Sequence, residues 1–339
     1  AKTSLLYDII TSNIELRGLD IDFVMRTSLL GSMEDTAPAR SRRGRQPSLF
    51  GPARDNWPRP PHYVGGGIGM VTYETADQTP SIPWPYSEMK DGDERCPSLN
   101  RWFLFKYSDS YQRDREDFER IKASGDPNAL AMFIAHHPFV VEALLQLSTV
   151  LYQTNSSQEG LSLLKRALYT YECASLNTFL QIEERLGFMD HEQSTNQLFF
   201  VALFRLVRVS HIAGLPRASL ATSRFLLSLD PLRDPMGVLL AIDHFALLSN
   251  NESNDKWLVD FVESNKVTVH YKDDTTADGY ECGLLDMPNW AYSYALALFR
   301  LHRNMPTDES NTKADCALKQ ALGKFPLILE QLLVQNDVN

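Results

Sequence analysis

Only a few side chains in this sequence have a spacing that could support catalysis. Asp243 and His244 are adjacent within a run whose apolar residues recur at helical spacing. Neighbouring residues on a helix point about 100° apart, so this carboxylate cannot orient this imidazole as a general base. We therefore interpret the pair as structural.

The other candidate clusters also lack the geometry of a reactive site. His136 and His137 precede Pro138 without the i, i+4 spacing and nearby carboxylate of a metal-binding helix, so helix capping is the favoured interpretation. The acidic pairs Glu183-Glu184 and Asp273-Asp274 lie in polar stretches typical of solvated loops. The sequence has no G-x-S-x-G motif. We predict a protein that is not an enzyme and that needs no metal or cofactor.

Two segments could instead contact a partner. Glycines 65–67 and Gly69 allow a sharp turn or a close backbone approach, but no G-K-[ST] opening a helix follows them, so a phosphate-binding loop is disfavoured. The basic cluster Arg40, Arg42, Arg43 and Arg45 could contact RNA phosphates or an import factor. A solvated linker is the alternative for this cluster.

Composition limits the class of protein. The 339 residues carry a formal charge of -10, which argues against a nucleic-acid-binding role for the whole surface. We expect no membrane segment and no secretory signal peptide, and the four widely spaced cysteines favour a reducing compartment. Because the chain opens at Ala1 and not at Met, we expect it to be part of a longer protein.

Helical periodicity begins near Ser110 and continues to the end of the chain. The stretch 138–173 predicts two amphipathic helices joined by a polar turn, with Pro138 at the first helical position. Three similar pairs follow it, and the third of the four pairs is predicted to start at Asp234-Pro235. Before the first pair, Asp126 is predicted to be the N-cap of a short helix that begins at Pro127. The pairs are about 32–36 residues long, close to the 34-residue tetratricopeptide period. We predict a mainly α fold, an irregular tetratricopeptide-like helical-repeat solenoid, over residues 110–339.

The first third of the chain is predicted to be different. Residues 1–30 form an N-terminal docking segment, and residues 31–109 form a loop-rich segment with the basic linker, the glycine-rich turn and short strands at MVTYE and RWFLFKY. The polar stretch 263–287 is predicted to be an irregular loop, and FPLILEQLLV a terminal capping helix.

Several motifs that helical periodicity does not require occur in the order typical of one family. They are WPRPPHYVGGGIGM (57–70), WFLFKYSDSYQ (102–112), HPFVVEALLQLS (137–148), LLKRALYTYECA (163–174), LFFVALFR (198–205), the stretch from GLPRASL to HFAL (214–247) and KFPLIL (324–329). In these motifs the chain resembles the transcription factor 25 family, also known as ribosome quality control complex subunit 1.

The resemblance implies a non-catalytic scaffold that works with the E3 ligase listerin on stalled 60S ribosomal subunits. It implies lysine-48-linked ubiquitination of the stalled nascent chain, recruitment of the valosin-containing protein segregase, proteasomal degradation, and a cytoplasmic and also nuclear location. A generic tetratricopeptide-like adaptor and a nuclear transcriptional regulator are the alternatives. We expect ligase and ubiquitin contacts at Trp57, Arg59, Gly66, Gly69, Glu142, Gln146, Arg205, Arg208, His244 and Tyr292, and ribosomal RNA contacts at the basic cluster.

Overall fold

The computed structural model describes most of the chain from Trp57 onwards. Described are residue 50 and residues 57–76, 80–88, 98–180, 187–264, 268–272, 279–304 and 308–336. The predicted docking segment 1–30 and the basic cluster Arg40–Arg45 lie outside the described residues.

The fold is mainly helical, as predicted. The described residues form twelve α-helices: α1 Asp109–Lys122, α2 Pro127–His136, α3 Val141–Gln153, α4 Ser157–Ala174, α5 Asn177–Leu180, α6 Ser194–Ile212, α7 Pro216–Leu229, α8 Ile242–Leu248, α9 Glu252–Glu263, α10 Pro288–Asn304, α11 Asp308–Lys324 and α12 Pro326–Gln335. None of these helices combines the length and the apolar composition needed to cross a membrane.

Consecutive helices pack in pairs around one continuous core. The pairs are α3 with α4, α6 with α7, α8 with α9 and α10 with α11, and α4 also contacts α6 while α9 contacts α10. The predicted stripes supply the contacts, since Leu144, Leu164 and Leu168 are fully buried. Burying a leucine side chain stabilises a fold by roughly 1.5–3 kcal/mol, so these stripes hold the pairs together.

A small sheet covers the beginning of the helical array. Strand β1 (Ile68–Thr72) pairs antiparallel with β2 (Trp102–Tyr107), and β2 pairs in parallel with the short β3 (Phe188–Met189). The first two strands were predicted from sequence, but β3 was not. The buried Asn196 of α6 fixes this sheet to the helices, because its side chain accepts from the Phe105 N–H and donates to the Phe103 carbonyl.

The structure corrects three sequence predictions. The predicted loop 263–287 contains an antiparallel hairpin of β4 (Thr268–Lys272) and β5 (Gly279–Gly283). The helix predicted to begin at Pro138 begins at Val141 instead. The helix predicted at Asp234-Pro235 begins only at Ile242, because Asp234 and Gly237 have positive φ angles of 41° and 63° that a right-handed helix cannot include.

The predicted capping helix is present, but it buries little. Helix α12 has no buried residue, and its Leu327 is 77% exposed. This helix therefore covers the end of the array without presenting a stripe to the core.

Candidate protein-binding surface

The glycine-rich segment forms a tight turn against the proline segment that precedes it. A Cβ atom on Gly67 would lie 1.8 Å from the Pro61 carbonyl oxygen, and one on Gly69 would lie 2.8 Å from the Tyr63 Cβ. Gly66 has a φ of 94° and accepts the left-handed conformation that closes the turn. The glycines are thus required by the close approach of the backbone and by this turn.

The same turn forms one wall of a cleft. The junction between α2 and α3 forms the other wall, and the cavity between them has a volume of about 140 Å³. Its lining includes Pro61, Gly66, His137, Pro138 and Phe139, so two of the sequence motifs meet here. Asp114, His136 and Thr170 also line the cavity, so its walls combine apolar and polar groups.

Trp57 and Arg59 lie near this turn in sequence but differ in exposure. The half-buried Trp57 ring contacts Tyr169 of α4 at a centroid distance of 5.9 Å, and Arg59 is exposed. The turn also presents Val64, which is 97% exposed. The segment that begins at Trp57 therefore combines an anchored tryptophan with an exposed cation and an exposed apolar side chain.

The histidines at the α2–α3 junction are used for packing. The His137 ring stacks on Phe133 at a centroid distance of 4.6 Å, and its Nδ1 lies 3.2 Å from an Asp114 oxygen. His136 Nδ1 lies 2.9 Å from the Met132 carbonyl oxygen. Within the described part of the chain no group of three or more His, Cys, Asp or Glu side chains could hold a metal ion.

Two arginines make the same contact at two places in the helical array. We call α3, α6, α8 and α10 the first helices, because each begins a pair. Arg205 of α6 donates from Nη1 to the Leu145 carbonyl of α3 at 2.7 Å, and Arg300 of α10 donates from Nη1 to the Leu247 carbonyl of α8 at 2.9 Å. Each contact joins one first helix to the backbone of the first helix of an earlier pair.

This repeated contact has a repeated sequence. The segment VALFRLVR at 201–208 matches LALFRLHR at 296–303 in six of eight positions, and Arg205 and Arg300 are equivalent within it. Sequence reasoning missed this repeat, although a comparison of the chain with itself would have found it. Burial lowers the pKa of Arg205, and the positive charge of Arg208 lowers it further.

The exposed sides of three first helices form a surface that we call the first-helix strip. It combines basic or imidazole side chains with exposed apolar ones: Arg208, His211 and Ile212 of α6, His244 and Leu248 of α8, and Leu296, Phe299 and Arg303 of α10. The His211 and His244 rings connect α6 to α8 at a centroid distance of 5.6 Å. The Arg300–Leu247 bond connects α8 to α10.

The predicted contact residues divide between this strip and internal contacts. Arg208 and His244 lie on the strip, and exposed Gln146 lies next to Leu145, which Arg205 contacts. Tyr292 donates its hydroxyl to the Phe325 carbonyl at 2.9 Å.

Glu142, one of the predicted contact residues, is engaged in contacts within the chain itself. It accepts from the Tyr111 hydroxyl at 2.8 Å and pairs with Arg115 at 2.5 Å, and its side chain is 8% exposed. Desolvation raises the pKa of Tyr111, and the nearby Glu142 charge raises it further. The network joins α1 to α3 and leaves this carboxylate little surface for a partner.

Asp243 is structural, as the sequence suggested. Its carboxylate accepts from Asn289 at 3.1 Å and from the Ser293 hydroxyl at 2.7 Å, both on α10. Trp290 donates its indole N–H to the Leu239 carbonyl beside it at 2.8 Å.

A buried ionic network, which sequence reasoning missed, fastens the sheet region to the helices. Arg233 pairs with Asp190 at 2.7 Å and with Asp230 at 2.5 Å, and Tyr86 donates its hydroxyl to Asp230 at 3.0 Å. Burial raises the pKa of Asp230 to about 6, although Arg233 opposes this shift. The pKa of Arg233 is raised, because its contacts with the two carboxylates outweigh its desolvation. The LDPLRDPMG segment is therefore structural.

Comparison with known proteins identifies the family. A family profile described as Transcriptional repressor TCF25 matches residues 103–339, which is more than half of the chain. The chain belongs to this family. The profile covers all twelve helices and most of β2, so the TCF25 family is defined over the helical array and the first-helix strip.

Relatives within the TCF25 family carry two kinds of name. The human "Ribosome quality control complex subunit TCF25" is 28% identical over 75% of this chain and 36% of its own length. The Schizosaccharomyces pombe "Ribosome quality control complex subunit 1" is 27% identical over 69% of this chain and 32% of its own. The "Probable transcription factor claV" of Ampulloclitocybe clavipes is 28% identical over 70% of this chain and 30% of its own.

The matched part is thus about a third of each of these TCF25-family relatives. No solved structure matches the chain.

Proposed function

We propose that this chain is a non-catalytic scaffold of a ribosome quality control complex. It binds the E3 ligase listerin on stalled 60S subunits, favours lysine-48-linked ubiquitin chains on the stalled nascent chain, and helps recruit the valosin-containing protein segregase. The names of its human and fission yeast relatives support membership of such a complex.

The observation that carries this proposal is the repeated arginine–carbonyl contact between first helices. Arg205 and Arg300 fix the relative positions of helices whose outer faces remain exposed. Such an arrangement favours a tetratricopeptide-like solenoid, in which stacked helix pairs offer an extended surface to other proteins. It supports a role in which the chain holds partners in a fixed geometry.

A rigid partner can select a ubiquitin linkage without chemistry of its own. The linkage depends on which acceptor lysine lies near the loaded cysteine of the conjugating enzyme, and positioning alone can change reaction rates by orders of magnitude. In this proposal one surface binds the ligase and another orients the acceptor ubiquitin. The exposed predicted residues Arg59, Gln146, Arg208 and His244 are the contacts to test first.

The test is reconstituted ubiquitin chain formation on stalled 60S subunits. Listerin, its conjugating enzyme and ubiquitin are incubated with and without the chain, and linkages are counted by mass spectrometry. We expect the fraction of lysine-48 linkages to rise when the chain is added. Leu144→Asp should abolish the rise, because Leu144 of α3 is fully buried and a carboxylate at this position would disrupt the packing of the helix.

The matched control is Leu318→Asp, which makes the same change at a leucine of α11 that is 44% exposed. Because Leu318 is exposed, the substitution should leave the fold intact, and this variant should still raise the fraction of lysine-48 linkages. An unchanged rate and linkage with the folded wild-type chain would overturn the positioning mechanism.

A nuclear transcriptional regulator is the second candidate. The family description and the name of the fungal relative claV favour it. In this reading the Arg40, Arg42, Arg43 and Arg45 cluster drives import, whereas in the first reading it contacts ribosomal RNA. Replacing the four arginines by alanine and measuring nuclear fraction and ribosome co-sedimentation separates the two. Loss of nuclear signal alone favours the regulator, and loss of co-sedimentation alone favours the RNA contact.

A further inference from the structure

The first helices carry almost no accessible negative charge, although the whole chain is acidic. Helices α6 and α10 contain no Asp or Glu at all. The acid of α3 is Glu142, whose side chain is 8% exposed and paired with Arg115, and the acid of α8 is Asp243, which is 3% exposed. Because the whole chain has a formal charge of -10, its accessible carboxylates lie on other parts of the chain.

The basic and apolar side chains of the first-helix strip are, in contrast, accessible. Ile212 is 80% exposed and Phe299 is 53% exposed, and Arg208 and Arg303 are exposed at equivalent positions of the repeated segment. Exposed apolar side chains that adjoin one another mark interaction sites more often than isolated ones do. A positive field beside them attracts negative partners and repels positive ones.

From this charge distribution we infer that the first-helix strip is the docking site for an acidic amphipathic helix of a partner protein. The apolar face of that helix packs on Ile212, Leu248 and Phe299, and its carboxylates meet Arg208 and Arg303. The inference rests on the proposed scaffold function and gives the chemical class of one of its partners.

The helix spacing sets a distance requirement for this partner. The His211 and His244 rings link α6 to α8, and the Arg300–Leu247 bond links α8 to α10. Taking the usual spacing of packed helices, about 8–10 Å, for each of these two steps gives a separation of roughly 16–20 Å between Arg208 and Arg303. A helix rises 1.5 Å per residue, and a segment lying across the three helices therefore needs about 11–13 residues between the two acidic groups that meet these arginines. Shorter acidic peptides can engage one arginine at a time.

The experiment measures binding of designed peptides to the whole chain by fluorescence anisotropy. The probe is an 18-residue helix-forming peptide with leucine at i, i+3, i+4 and i+7 spacing and glutamate elsewhere. We expect it to bind, and to bind more weakly as salt rises, because exposed charges are screened. The same peptide with lysine replacing glutamate should bind at least tenfold more weakly.

Two pairs of variants locate the site. Arg208→Glu/Arg303→Glu should weaken probe binding at least tenfold, whereas Arg113→Glu/Arg120→Glu, with the same charge change on exposed positions of α1, should change it less than twofold. Ile212→Ser/Phe299→Ser tests the apolar half without changing charge and should also weaken binding. Circular dichroism of each variant checks that the fold is retained.

Several outcomes would overturn the inference. They are absence of probe binding to the wild-type chain, equal binding of the glutamate and lysine peptides, and equal effects of the two charge-reversal pairs. The linkage assay separates this result from the proposed function. If the wild-type chain raises the fraction of lysine-48 linkages but does not bind the probe, the docking inference fails and the scaffold stands.

Discussion

Asp234 shows how an ionisable side chain can serve the folding of this chain. Its buried carboxylate accepts from the backbone N–H groups of Val238 at 2.9 Å and Leu239 at 2.8 Å, and so closes the turn before α8. Burial raises its pKa to about 6, and the two N–H groups only partly oppose this shift. A carboxyl group in this position therefore binds its proton more tightly in the folded chain than in the unfolded chain.

This pKa difference predicts a pH dependence of stability. Because the folded-state pKa is raised, the contribution of Asp234 to the unfolding free energy is greatest below pH 4 and is lost as pH rises through 6. The wild-type chain should lose about 2 kcal/mol relative to Asp234→Asn between pH 4.5 and 7. Urea unfolding of both proteins at the two pH values measures this difference.

The Asp234→Asn variant serves as the reference for the wild-type chain, because its amide does not titrate in this range. A difference between the two proteins that stays constant from pH 4.5 to 7 would show that the Asp234 carboxyl is ionised in the folded chain throughout. A gain of wild-type stability relative to Asp234→Asn as pH rises would show that folding lowers the pKa of Asp234 instead of raising it.

At the scale of elements, the helices and strands that depend on nearby residues were predicted better than those that depend on residues far apart in the chain. The α3–α4 pair, the strands β1 and β2, and the N-cap of α2 by Asp126 were all predicted, and Asp126 indeed accepts from the Asn128 N–H. Each depends on periodicity or on capping within a few residues.

The missed elements depend on residues far apart in the chain. The two residues of β3 become a strand only because Trp102 and Phe103 lie beside them. Asp230 is only three residues from Arg233, but no local pattern indicates that Asp190 and Tyr86 complete their network. At the candidate surface, Arg208 and His244 are exposed, and their contact with a partner stays a prediction.

The glycine turn gives a prediction at this scale. Gly67→Ala should lower the unfolding free energy by about 1–3 kcal/mol, because the new methyl group would collide with the Pro61 carbonyl. Thermal or urea unfolding measures the loss, and the turn should also lose its support for the cleft beside α2 and α3.

Gly323→Ala is the matched control for that substitution. No heavy atom lies within 4 Å of a Cβ at Gly323, which is in α11, so the same change should be neutral or should stabilise by up to about 1 kcal/mol. If both alanine variants had equal stability, the turn would be able to relax and the steric explanation would be wrong.

At the scale of the whole molecule, the packing of buried side chains joins the sheet to the helices. Trp102 of β2, Tyr73, Tyr86, Phe188 and Leu232 form a buried cluster. Its members come from the loop-rich segment and from two places in the helical region. The predicted division at residues 109 and 110 remains a prediction, and the cluster provides a test of it.

We expect a chain shortened to residues 110–339 to lose cooperative unfolding. It would expose Phe188 and Leu232 and would leave Asp230 without its Tyr86 partner. Each buried aromatic or leucine contributes roughly 1.5–3 kcal/mol, and the loss approaches the 5–15 kcal/mol that stabilises a typical protein. Calorimetry and dye binding to exposed apolar surface measure the effect.

Tyr86→Phe in the full chain is the comparison for this truncation. It removes two hydrogen bonds, the one that the hydroxyl donates to Asp230 and the one that it accepts from the Leu232 N–H, and it keeps the ring. It should therefore cost about 1–3 kcal/mol and should keep a single cooperative transition. A shortened chain that melts cooperatively at the wild-type temperature would show that the helices are an independent domain.

The cluster around Trp102 also sets an order of events during synthesis. Trp102 leaves the ribosome long before Leu232, which completes its surroundings. At about 5–20 residues per second, the 130 residues between them take about 7–26 s to translate. During that interval the aromatic side chains of the early segment lack the residues that later bury them, so this cluster can form only after most of the chain has been made.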